Sequence, residues 1–149
     1  MERRSVIAMA LALAAVVATV SPAATQLSKP PRNSASVKGK LEKSAELQRQ
    51  AQQALADLAR AERLVRNAWD ELKAAKDDMV IIASNTKFPD PLSASNEKRL
   101  DQALSLLLGA LDALKVRDKW SEPEKRVAGV RSNLEQALRL TNTVLATSP

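Results

Sequence analysis

"LVRNAWDELKAAKDD", residues Leu64 to Asp78, lies inside the longest stretch of the chain without proline or glycine. Apolar positions run through it at helical spacing without a gap: Val65, Ala68/Trp69, Leu72, Ala75 and Met79. Yet "NAWDE" within it has the form of a helix start, with Asn67 able to cap and Asp70 and Glu71 in the first turn. Whether this segment is the interior of one long helix or the junction of two decides the architecture.

Working outward, the stretch from Val37 to Ser84 reads as helix throughout. Leu41, Ala45, Gln48, Ala51, Leu55, Leu58, Ala61 and Val65 share one face. "SNTKFPDPL", Ser84 to Leu92, breaks it with Asn85 and two prolines. A second helical block follows from about Ala94 to Arg117, its seam built from Leu100, Leu104, Leu107, Leu111 and Leu114, with Leu106 and Leu108 widening the face. "DKWSEPEKR" then signals another start: Ser121 as cap, Pro123 in the first turn and Glu124 completing a capping box. Trp120, just before the cap, is placed to cover the bundle end. The last helix runs to about Ala146, with Val127, Val130, Leu134, Ala137/Leu138, Thr141 and Val144/Leu145 inward.

Length arbitrates the opening question. Unbroken, residues 37–84 would form a rod of about 72 Å, whereas each later helix reaches only about 36 Å. Half the stripe would stay in water, forfeiting ~1.5–3 kcal/mol for each large apolar side chain. The chain is therefore expected to fold back, and the local start signal puts the reversal at Asn67. The expected helices are 37–66, 68–85, 94–117 and 122–146, forming an all-α, up-down four-helix bundle that is a monomer when free. Trp69 then lies just past the reversal and seals the bundle end. The alternative is three helices with one long rod, shared between chains as a swapped dimer.

Composition narrows the chemistry. At 149 residues the chain suits one domain, and helix formers dominate from residue 37 onward. There is no His, Cys or Tyr, which removes imidazole bases, thiolates, disulfides and Cys/His metal sites together. Ser, Thr, Lys, Asp and Glu occur at no diagnostic catalytic spacing. Asp77 and Asp78 are adjacent, but successive helical residues point about 100° apart, so they cannot work as a carboxylate dyad. The sequence therefore points to a protein that is not an enzyme and holds no cofactor or metal.

Residues 1–24 have the order of a cleavable signal peptide: Arg3 and Arg4, an uncharged run, then small residues around Ser21 to Ala24. The apolar core from Val6 to Val20 is 15 residues, short of the ~20 that span a bilayer. "RRSVI" also fits a twin-arginine export signal. Export is the expectation, whichever route is used, and cleavage would move the net charge from +6 to +5.

Residues 25–36 read as a basic, Pro-containing flexible arm ahead of a bundle domain at 37–149. Lys29, Arg32, Lys38, Lys40 and Lys43 are the candidate docking residues, by charge alone, for an acidic protein surface. Nucleic acid is not expected as a partner, because an exported protein seldom meets it and no aromatic or Gly-rich reader interleaves with the charges.

The order of these segments resembles the PsbQ family, the extrinsic lumenal proteins of photosystem II. The resemblance covers roughly Leu64 to Leu145. Ala68-Trp69 matches an Ala-Trp that family members carry at the start of the second helix, and "SNTKFPDP" matches their Lys/Pro-containing turn before the third. Leu111-Asp112-Ala113-Leu114, Lys119 and "SEPEK" match a Leu-Asp-x-Ala segment leading to a Ser-x-x-Glu-Lys turn, and Val144-Leu145 a closing "VL". The leader is similar to the twin-arginine signal that takes plant members into the thylakoid lumen. The chain differs from plant members in its shorter second helix and its lack of Tyr, and from cyanobacterial ones in lacking a lipobox Cys. The resemblance implies a non-catalytic subunit, peripheral on the lumenal face of photosystem II through protein contacts. Such a subunit helps the oxygen-evolving complex retain calcium and chloride without supplying ligands. An exported, periplasmic adaptor or chaperone is the alternative.

Overall fold

The structure is a computed structural model that describes residues 33–87 and 91–148. The expected signal peptide and the arm residues Lys29 and Arg32 lie outside the described residues. Four long helices make up nearly all of what is described: α1 (Ser34–Gln53), α2 (Leu58–Ser84), α3 (Pro91–Lys115) and α4 (Pro123–Thr147). A single 3-10 turn, Arg117–Lys119, joins α3 to α4, and no strand occurs among the described residues.

The chain does fold back, but ten residues before Asn67. α1 ends where the Ala54 amide donates to both Gln50 (3.0 Å) and Ala51 (3.2 Å) carbonyls, and the Asp57 amide closes a turn on Ala54 O at 2.8 Å. Asp57 then caps α2, its carboxylate accepting from the Arg60 amide at 3.1 Å. Asn67 is an exposed residue well inside α2. Length matching explains why this reversal wins: breaking at 54–57 gives helices of about 30 and 40 Å to set against two of about 37 Å. A break at Asn67 would pair about 45 Å with about 27 Å and leave α1 overhanging.

The buried positions alternate at spacings of three and four in every helix. On α1 they are Val37, Leu41, Ser44, Gln48 and Ala51; on α2 Ala61, Val65, Ala68, Leu72 and Ala75. α3 contributes Leu100, Ala103, Leu107, Ala110 and Leu114, and α4 Val130, Leu134, Ala137, Thr141 and Val144. The mean of 3.5 is the heptad repeat, which keeps one seam facing its neighbours and favours shallow left-handed crossing. Alanine alternates with larger residues along α2 and α3, so the helices can approach closely without a void. Among the described residues, the core and the residues packed against it lie between Val37 and Leu145.

Each helix packs on two others: α1 on α2, α2 on α3, α3 on α4, and α4 back on α1. Side-chain contacts match up the ends. Lys40 on α1 pairs with Asp78 near the end of α2, and the Thr147 hydroxyl of α4 donates to Asn96 Oδ1 of α3 at 3.0 Å. Opposite them, Arg117 after α3 meets Glu62 at the start of α2 at 2.6 Å. One end of the bundle therefore collects the beginnings of α1 and α3 and the ends of α2 and α4.

Two helix starts differ from expectation. α1 begins at Ser34, with Asn33 Oδ1 accepting from the Ser36 amide at 2.8 Å, so residues expected to close the flexible arm form its first turn. The capping box at Ser121 and Glu124 does not form. Pro123 takes the first helical position, which makes Glu122 the cap, with φ 117° and no side-chain capping bond. A proline disfavours the helical region for the residue before it, so the helix cannot extend back to use Ser121.

Candidate functional site

The cationic residues singled out by charge divide into two groups. Lys38 is exposed on the second turn of α1. Lys40 and Lys43 instead reach across to α2, where Lys40 pairs with Asp78 and Lys43 with Glu71. Asp78 is only 5% exposed, and the Ser36 hydroxyl also donates to it at 3.5 Å. A buried carboxylate needs a partner to stay charged, so Lys40 is committed to holding α1 on α2 rather than to an external surface. Charge alone could not reveal this, because the acidic partners lie 28 and 38 residues away in sequence.

α2 is the hub of these pairings. Besides Lys40 and Lys43, it receives Asp101 of α3 through Lys76, and Arg117 through Glu62, which Arg66 also contacts at 3.1 Å. The hydrogen bond to Asp101 is the main reason Lys76 holds its proton above the usual lysine range, against a smaller opposing effect of burial. Glu46 on α1 is held below the usual carboxylate range, first by the Gln50 amide and then by Arg49.

The tryptophans separate as well. Trp69 is half-buried against the core about three turns into α2, not at a bundle end, because the reversal it was expected to follow lies elsewhere. Trp120 does sit in the α3–α4 connection. Its indole N–H donates to Ala113 O at 3.0 Å, and Arg117 binds Leu114 O at 2.8 Å, so two freed carbonyls at the end of α3 are satisfied by side chains. Neither Ser121 nor Glu124 makes the capping contact expected of it; both are exposed.

Sequence reasoning placed Gln48 and Thr141 on inward faces without foreseeing that they meet. Gln48 Nε2 donates to Ser44 Oγ and Thr141 Oγ1, each at 3.2 Å, in a fully buried layer joining α1 to α4. Both hydroxyls in turn donate to backbone carbonyls, Ser44 to Ala68 O at 2.7 Å and Thr141 to Ala137 O at 2.9 Å. Gln48 Oε1 and Gln52 Nε2 have no partner. The signal for this layer was two polar residues at inward heptad positions on helices adjacent in the bundle. With their protons directed at carbonyls, these hydroxyls are not set up as nucleophiles.

Among the described residues no group of three or more Asp or Glu side chains converges as a metal site, and no helix is long and apolar enough to cross a membrane. A shallow groove runs between α3 and α4, lined by Gln102, Ser105, Leu106, Gln136, Arg139 and Leu140.

The two ends of the bundle differ sharply in charge. Where α1 and α3 begin and α2 and α4 finish, residues 33–38, 80–87, 91–96 and 144–148 contain only two charged side chains, Lys38 and Lys87. Val80 and Leu92 at this end are 36% and 46% exposed. At the opposite end, residues 54–60 and 112–126 carry eleven charged side chains of both signs. Compared with protein-family models, curated proteins and solved structures, the chain matches none.

Proposed function

We propose that this chain is a non-catalytic extrinsic subunit on the lumenal side of photosystem II, which stabilises the oxygen-evolving complex and its retention of calcium and chloride. In that reading residues 1–24 are a signal peptide and the mature protein is an up-down four-helix bundle. It docks on an acidic surface of the membrane complex through basic residues at the start of α1. The cyclic order of helix neighbours and the short connection at 54–57 support the up-down arrangement. The order of motifs from Leu64 to Leu145 supports the family resemblance.

The observation that carries the docking role is the distribution of charge. Four ion pairs tie the helices and their connection together: Lys40–Asp78, Lys43–Glu71, Lys76–Asp101 and Arg117–Glu62. Lys38 is exposed and follows a sequence segment, residues 25–37, that contains Lys29 and Arg32 and no acid. The proposed docking set is Lys29, Arg32 and Lys38, without Lys40 and Lys43, whose ammonium groups pair with Asp78 and Glu71.

Rebinding to salt-washed photosystem II membranes tests this. The chain starting at Thr25 is expected to rebind in low salt, restore oxygen evolution at limiting chloride, and come off in about 1 M salt, where the Debye length is about 3 Å. Lys29→Glu/Arg32→Glu/Lys38→Glu should abolish rebinding while Lys43→Glu leaves it. Failure to rebind, or retention in molar salt, overturns the proposal. One observation favours the second reading, an exported helical adaptor unrelated to photosynthesis: Ala68-Trp69, matched to the start of a helix in the PsbQ family, lies about three turns into α2. Attachment of the chain to a non-photosynthetic periplasmic complex would establish that alternative.

A further inference from the structure

We infer that the charge-poor end of the bundle is a seat for an anionic lipid surface, independently of whether the partner complex is a photosystem. Two features of this end coincide. Its four helix termini present aliphatic and small hydroxyl or amide residues, with Val80 near the end of α2 and Leu92 at the start of α3 both substantially exposed. Its only charged side chains among the described residues are the lysines Lys38 and Lys87, both exposed. One turn further in, the carboxylates of Asp77 and Asp78 are already paired with Lys73 and Lys40, and Glu97 is followed by Lys98. Asp90 lies outside the described residues.

The occupant follows from charge and polarity together. Exposed aliphatics at an end whose described charged side chains are both lysines complement an interface that is apolar beneath and anionic on top, which is the cross-section of a bilayer leaflet containing acidic lipids. Ser34, Ser36, Ser93, Ser95, Asn85 and Thr86 supply hydrogen-bonding groups at headgroup depth. The opposite end, dense in charges of both signs, would have to desolvate many of them to enter such a layer. Because no described helix can cross a membrane, contact is confined to the headgroup and upper acyl region. The bundle would stand on the leaflet by its end, with helices upright.

Co-sedimentation with phosphatidylcholine vesicles, with and without phosphatidylglycerol, tests the proposal. The protein is the chain starting at Thr25, which retains every described core residue and whose folding is verified by its helical circular dichroism and cooperative melting. Binding is expected only to the anionic vesicles, and to fall with salt. Leu92→Asp with Val80→Asp should weaken it by at least ~10-fold. Lys38→Glu with Lys87→Glu should weaken it by at least ~25-fold, at about fivefold per cation. Lys115→Glu with Lys119→Glu at the opposite end should leave it unchanged. A folded chain that ignores anionic vesicles overturns the proposal, as does equal binding to neutral ones or insensitivity to Val80 and Leu92. If it ignores vesicles but Leu92→Asp/Val80→Asp prevents rebinding to salt-washed membranes, this end docks on protein, and the lipid seat fails while the proposed function stands.

Discussion

Replacing Asp57 and Asn67 by alanine in turn locates the helix reversal without further structural work, because the two possible turns predict opposite outcomes. Asp57 Oδ1 accepts from the Arg60 amide at 3.1 Å and places a negative charge at the N-terminus of α2. Asp57→Ala removes both contributions and is expected to destabilise the bundle by about 1 kcal/mol. For a domain of this size that lowers the melting temperature by about 4 °C. Asn67 is exposed inside α2 and caps nothing. Alanine is the better helix former there, so Asn67→Ala should stabilise by ~0.5 kcal/mol. Asp57→Asn, which keeps a capping oxygen, should recover most of the loss. Thermal melts followed at 222 nm by circular dichroism, on all three variants at neutral pH, make the comparison. Destabilisation by Asn67→Ala equal to that by Asp57→Ala, or no effect of Asp57→Ala, would refute the placement of the turn and the length-matching argument behind it.

Three further substitutions probe the interior, the α3–α4 connection and the charge network. Gln48→Leu removes a buried amide whose oxygen is unpartnered and leaves Ser44 and Thr141 still donating to backbone carbonyls. It should therefore be neutral or stabilise by up to about 1 kcal/mol, whereas Thr141→Val, which strips an acceptor from the Gln48 amide, should cost about 1 kcal/mol in urea unfolding. Glu122→Gly relieves a left-handed backbone at φ 117° and should stabilise by about 1 kcal/mol in the same assay; a loss would mean that the exposed Glu122–Lys125 pair outweighs the strain. Lys76 is raised above the ordinary lysine value of 10.5, so its stabilising effect is complete below that pH and is lost as pH rises through the higher folded-state value. Melts at about pH 9 and pH 11 should show wild type losing more stability than Lys76→Met across that window.

Helix content and most of the inward faces were legible because they rest on local periodicity, although Leu108, expected to widen the α3 face, is exposed. Leu100, Leu107 and Leu114 read as a seam in sequence and are fully buried in the structure. The turn at 54–57 was not legible from residue type, since "ALAD" contains neither Gly nor Pro and Asp57 is an ordinary surface acid. A subtler mark was present in the spacing. The buried series of α1 runs 37, 41, 44, 48, 51, 55, and α2 resumes at 61, 65, 68, 72, 75. A continuous heptad would run 58, 62, 65, 69, 72, 76, so Val65 and Leu72 keep the phase of α1 while Ala61, Ala68 and Ala75 each sit one residue early. Asn67 drew attention because capping residues are recognisable anywhere, but it lies in phase with the helix on either side of it. Pairings such as Lys40 with Asp78 depend on which helices become neighbours, and so on the turn that was misplaced.

Locating the turn also changes which parts of the molecule are available to a partner. Had the chain reversed at Asn67, helices 37–66 and 68–85 would pair with a different register, and Lys40 and Lys43 would not face Asp78 and Glu71. With the turn at 54–57 they do, and the pairs engage Lys40 with the buried Asp78 and the more exposed Lys43 with Glu71. The consequence is cumulative along α2, whose Lys76 and Glu62 are engaged in the same way with Asp101 and Arg117. Charge that holds the helices in register along their length is correspondingly less able to meet a partner there. In the proposed reading docking is referred to the ends, where the helix termini set the chemistry: one mixed and densely charged, the other apolar and small, with only Lys38 and Lys87 charged among its described residues. An end-on attachment also leaves the four-helix seam undisturbed, so binding and stability can be separated by mutation. Substitutions at Val80, Leu92, Lys38 and Lys87 should alter attachment with little change in melting temperature, whereas those at Asp57, Thr141 and Glu122 should do the reverse.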